Sequence, residues 1–113
     1  MSISTSEAAI AALSALAQEH RLAAFRLLVE AGPEGLPAGT VADRLGMPPS
    51  SLSFHLAHLE RAGLVAKTRL GRTLIYSARF ATVRGLADYL LENCCGGRSC
   101  ADAAVPERLA KGA

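Results

Sequence analysis

The chain has 113 residues, half of them apolar and 19% charged, with a formal net charge of +2. That balance excludes a disordered chain and points to one small soluble globular domain. The start, Met1-Ser2-Ile3-Ser4, lacks the basic segment of a secretion signal, and no uncharged apolar run reaches the roughly 18 residues of a membrane span. A cytoplasmic protein without membrane contact is therefore expected, and in that compartment thiols serve metal or redox chemistry more often than structure.

The segment TSEAAIAALSALAQ, residues 5–18, offers Ser4, Thr5 or Ser6 as caps and then apolar or small residues on nearly every side. A helix apolar all round is buried all round. In so short a chain a second copy is the expected cover for one face. EHRLAAFRLLVEA, residues 19–31, predicts a second helix with Leu22, Ala23, Phe25, Leu27, Leu28 and Val29 on a broad inner face and Gly32-Pro33 closing it. After a linker at 35–39, TVADRLGM predicts a helix of about two turns, capped by Thr40 and stopped by Gly46.

PPSSLSFHLAHLERAGLV follows, with Pro48 and Pro49 suited to a helix start and Leu52, Leu56 and Leu59 spaced along one face. Ser50, Ser51, Phe54, Ala57, His58 and Arg61 fall on the opposite side, and Gly63 ends the helix. Two short helices joined by a tight glycine turn form a helix-turn-helix unit whose second member fits a DNA major groove. LVAKTRLGRTLIYS, residues 64–77, reads as a hairpin around Leu70-Gly71, with Lys67, Arg69 and Arg72 toward its tip, where a wing meets phosphates or the minor groove. From Ser50 to Arg79 five basic side chains stand against Glu60 alone, a local charge of +4 and a footprint suited to a polyanion. The last helix, about Phe80 to Asn93, sets Val83, Leu86, Ala87, Leu90 and Leu91 on one stripe and the Arg84/Asp88 pair on the other side.

This order of elements, together with VADRLGMPPSSLSFHLAHLERAGLV, resembles the ArsR/SmtB family of bacterial metalloregulatory repressors. The likeness covers roughly residues 5–95. It implies a mainly α fold with a β-hairpin wing, a winged helix-turn-helix, paired as a homodimer through its first and last helices and bound to operator double-stranded DNA. Residues 1–95 would form the DNA-binding and dimerisation domain, and residues 94–113 a cysteine-containing sensor segment and tail. The family's base-reading positions fall on Ser50, Ser51, Ser53, Phe54 and His55; His58 is added from its outward direction, and Lys67, Arg69 and Arg72 from the wing. His55 lies near enough to the inner face to serve equally as a packing residue. Hydroxyls exchange hydrogen bonds with base edges or phosphates, and a phenyl ring contacts a thymine methyl.

Three departures from the family stand out. Pro48-Pro49 replaces a polar pair ahead of the recognition helix, TVADRLGM carries no thiol, and the last helix contains no histidine. The sensor is left to ENCCGGRSC, residues 92–100, which holds all three cysteines, Cys94, Cys95 and Cys100. A bridge between adjacent cysteines is disfavoured because their Cα atoms lie only about 3.8 Å apart. Two neighbours on a helix point apart, so at least one must leave helical geometry to share an ion, and Gly96-Gly97 lets the chain fold back. Soft thiolates select soft ions, and three of them match the pyramid that trivalent arsenic favours, as in the family's arsenite sensors. The expectation is a repressor, not an enzyme, that needs no cofactor to bind DNA and is released by As(III) or Sb(III). A thiol redox switch, or a repressor responsive to Cd, Pb or Zn, is the alternative. A thiol enzyme is disfavoured by the lack of a phosphate-cradling loop or a base beside a lone cysteine, while a winged-helix module that never touches DNA remains a rival.

Overall fold

The computed structural model describes residues 3–97. Five helices and three short strands follow one another as α1 (Ser6–Leu16), α2 (Glu19–Ala31), β1 (Leu36–Pro37), α3 (Ala38–Leu45), α4 (Pro49–Arg61), β2 (Val65–Leu70), β3 (Thr73–Ala78) and α5 (Phe80–Leu90), with a 3-10 turn at Cys94–Gly97. The fold is mainly helical, with an antiparallel sheet in the order β1-β3-β2. Among the described residues no helix is long and apolar enough to cross a membrane.

Local chemistry sets the helix starts. Thr5 Oγ1 accepts a hydrogen bond from the Ala8 amide at 3.2 Å, and Gln18, expected inside the first helix, instead caps the second by accepting from the Arg21 amide at 2.9 Å. Helix α3 begins at Ala38, so Thr40 lies within it and is not its cap; Pro37, with φ −60° and ψ 145°, takes that position. At its end Gly46 adopts φ 63°, the left-handed stop expected of it.

The hairpin pairs Val65 with Ala78 through to Leu70 with Thr73, which leaves the two-residue turn Gly71-Arg72. Positive φ at Gly71, 64°, is the glycine-first pattern of a type II′ turn. The linker at 35–39 proves to contain β1, which pairs Leu36 with Tyr76 and Pro37 with Ile75. Gly35 makes this possible: its φ is +69°, and a Cβ there would strike the Tyr76 carbonyl.

The interior is filled by one leucine-rich cluster to which every helix contributes, with Leu28, Leu52, Leu56, Leu59 and Leu64 fully enclosed. Three inner faces differ from expectation. Helix α1 buries only Ala9, Ala12 and Ala15, while Ile10 is 64% and Leu13 43% exposed. Helix α2 buries Ala24, Phe25 and Leu28 and leaves Leu22, Ala23 and Val29 exposed, because its partners α1, α3, α4 and β3 cover a narrower arc than the apolar stripe. Helix α5 ends at Leu90 rather than Asn93 and buries Thr82 and Leu86, with Ala87, Leu90 and Leu91 outside. Its early stop follows from Asn93 at φ 58°, a conformation asparagine tolerates better than most residues.

Candidate nucleic-acid interface and thiol sensor

Helix α4 is held by three fully buried leucines, Leu52, Leu56 and Leu59, spaced so that the opposite face must point outward. Pro48 stands before its first turn and Pro49 at its first position, where no intrahelical N–H bond is lost. Ser50, Ser51, Ser53 and Phe54 are all exposed, Phe54 to 66%, an unusual setting for a phenyl ring unless it meets a partner. These four form one solvent-facing front at the helix N-terminal half.

His55 and His58 are half-buried instead. His55 sits with its ring centroid 5.6 Å from that of His20, which comes from the first turn of α2. Its Nδ1 is buried and makes no hydrogen bond. Burial, then the positive charges of Arg21, His20 and His58, hold the His55 pKa below its ordinary 6.5. His58 is lowered likewise by burial, Arg21 and Arg61. A histidine whose native pKa is depressed resists a proton that the unfolded chain accepts, so its contribution to stability is complete above about pH 6.5 and is lost as pH falls through the lowered native value. The urea midpoint is expected to drop between pH 7 and pH 5, and the drop to shrink in His55→Gln; equal drops in both proteins would contradict this.

On the wing, Lys67 and Arg69 lie two residues apart on β2 and so share one face. Arg72 occupies the turn, where it lines a groove of about 540 Å³ with Thr40 and Asp43 of α3. All three basic residues are exposed. Lys67 Nζ also lies 3.6 Å from Glu60 Oε1 at the end of α4, a pairing that charge counting along the chain did not foresee. Leu70, 64% exposed at the tip, was missed as well; its place beside the basic residues is set by the hairpin register. Neutral variants at Arg69 and Arg72 together should lower the slope of log affinity for DNA against log salt by about 0.9 for each phosphate that the side chains no longer neutralise. Titration at several salt concentrations reads this directly, and an unchanged slope would place both side chains away from the backbone.

The thiol segment follows within four residues of α5. Cys94 is half-buried and Cys95 exposed. Cys95 leaves the right-handed region, with φ 56° and ψ 30°, and Gly96 follows at φ 65°. The two sulfurs consequently come within 3.6 Å of each other, far beyond the roughly 2.05 Å of an S–S bond. Cys100, the third residue expected in the sensor, lies outside the described residues, and among those described no group of three or more His, Cys, Asp or Glu is placed to hold a metal ion.

A recognition helix packed on a three-helix core beside a basic hairpin defines a winged helix-turn-helix protein of the DNA-binding class. A helix-turn-helix domain family matches residues 16–68. The transcriptional activator HlyU of Vibrio cholerae is 33% identical over 82 residues, 73% of each chain. The solved structure of HlyU matches with a TM-score of 0.63 at 30% identity, covering 82% of this chain and 96% of that one; a second structure, described as reduced HlyU, gives 0.61 at 30%, covering 77% and 90%. An ArsR-like transcriptional regulator from Rhodococcus sp. RHA1 matches with a TM-score of 0.66 at 28% identity over 93% of this chain and 89% of its own. The chain belongs to the ArsR/HlyU-type winged-helix family of DNA-binding transcriptional regulators.

Proposed function

We propose that this chain is a homodimeric repressor that holds operator DNA until Cys94, Cys95 and Cys100 take up As(III) or Sb(III). The observation that carries the reading is the 3.6 Å separation of the Cys94 and Cys95 sulfurs. With ion–sulfur bonds of about 2.3 Å, that separation corresponds to an S–ion–S angle of about 100°, suited to a pyramidal three-thiolate centre. Three thiols displace the three hydroxyls of arsenous acid as three waters, so no oxidant or reductant is consumed.

Helix α5 supports a dimer role. It packs against α1, and the two helices with the C-cap Leu91 expose Ile10, Leu13, Leu90 and Leu91, apolar surface that a second copy would cover. Ligation four residues beyond Leu90 would reshape that contact and alter the spacing of the paired recognition helices, which must match half-sites about one DNA turn apart. Couplings of this kind amount to about 5- to 150-fold in affinity.

A second reading draws on the closeness of the Cys94 and Cys95 sulfurs and on the glycines that follow them: the same thiols form a redox switch, Cys94 or Cys95 joining Cys100 in a disulfide, with oxidation in place of arsenic as the signal. One experiment tests both. The fully reduced protein is bound to duplex DNA selected by the protein from a random pool, then given arsenite or peroxide separately. Release by arsenite that disappears in Cys94→Ser and in Cys100→Ser supports the first reading. Release by peroxide alone supports the second, and DNA retention with arsenic bound sinks the first.

A further inference from the structure

Two of the three histidines, His20 and His55, meet where the start of α2 packs on α4. A cleft of about 250 Å³ there is lined by His20, Met47, Ser51 and His55. It lies between the first turn of α2 and the turn that leads into the recognition helix. Two features ask for a ligand. The His55 Nδ1 is buried without any hydrogen-bond partner, which is costly unless something else satisfies it. The His20 and His55 ring centroids lie 5.6 Å apart with the rings tilted by 36°, and the Met47 thioether belongs to the same cleft.

We propose that His20, His55 and Met47 form a site for one soft monovalent cation, Cu(I), bridging α2 to the base of the recognition helix. The two imidazoles would supply two nitrogens, and Met47 lines the same cleft as a third donor. That donor is a thioether, which favours Cu(I) over harder ions.

The positive surroundings of His55 oppose any cation and oppose a doubly charged one most. Arg21 stands close to this cluster, its Nε donating to the Ala15 carbonyl at 2.6 Å, and a single positive charge is repelled by it less than a double one. Glu19 Oε1 lies 3.6 Å from His20 Nε2, so the other nitrogen of His20 is left for the ion while the carboxylate supplies the outer-shell partner that metal-bound histidines usually have. The site shares no residue with the three thiols and does not depend on their role.

The test uses full-length protein carrying C94S, C95S and C100S, so that thiolates contribute nothing, in anaerobic competition with the chromogenic Cu(I) chelator bicinchoninate. One Cu(I) per chain is expected, with affinity falling at least tenfold in His20→Gln, in His55→Gln and in Met47→Leu. X-ray absorption at the copper edge should give two nitrogens and one sulfur. His20 is half exposed, so His20→Gln tests the site without disturbing the interior, and circular dichroism checks the other two. No copper retained against the chelator, equal retention in the His20 variant, or Zn(II) held tightly with Met47→Leu without effect would each overturn the proposal.

Discussion

Replacing Ile10 and Leu91 together by glutamate is expected to give a folded monomer whose affinity for a two-half-site DNA falls by about 10²- to 10⁴-fold. Ile10 and Leu91 are 64% and 65% exposed, so the substitutions remove nothing from the interior. Both residues nevertheless lie on or next to helices that pack together, and glutamates facing each other across a two-fold contact would repel and lose their hydration. The size of the effect comes from linkage, because a dimer converts its second half-site contact into an intramolecular event and gains about that factor in avidity. Analytical ultracentrifugation reads the assembly and a gel shift reads the affinity. A variant that stays dimeric would move the subunit contact away from α1 and α5.

The second large effect is on folding. Leu56 is fully buried at the centre of the leucine stripe of α4, where helices α1, α2 and α3 all pack. Leu56→Ala is expected to cost about 2–5 kcal/mol, a large share of the roughly 5–15 kcal/mol that holds a domain of this size together. Urea denaturation should show the midpoint falling sharply. Phe54→Ala, two residues earlier but 66% exposed, should leave the midpoint nearly unchanged and weaken DNA binding instead. The pair separates the two faces of one helix by measurement, and a stability loss in Phe54→Ala as large as that in Leu56→Ala would contradict the division.

The contrast between those residues also explains what could be read from the chain alone. The recognition helix was legible because its leucines recur at one helical spacing and polar residues fill the other side. The hairpin was legible from β-formers around one glycine turn. The faces of α2 and α5 were not, since which residues of a broad apolar stripe become buried depends on how wide the packing partner is. Ala24 and Thr82 are enclosed while Leu22 and Leu90 are not, an outcome that hydropathy ranks in reverse. Strand β1 escaped notice because two residues cannot show alternation. His20 was also missed as a neighbour of His55, for the two are far apart in sequence and only the packing of α2 on α4 joins them.

The buried joint between α4 and the wing has a mechanical consequence. Gly63, Leu64 and Val65 are enclosed, the Leu64 carbonyl accepts from the Arg79 amide at 2.8 Å, and the Glu60–Lys67 pair spans the outside of the same corner. Helix and hairpin therefore travel as one piece, like two fingers of a single hand. In the proposed dimer, a signal at the subunit boundary would need only change the gap between hands to disengage groove and phosphate contacts at once, with no flexing of either finger.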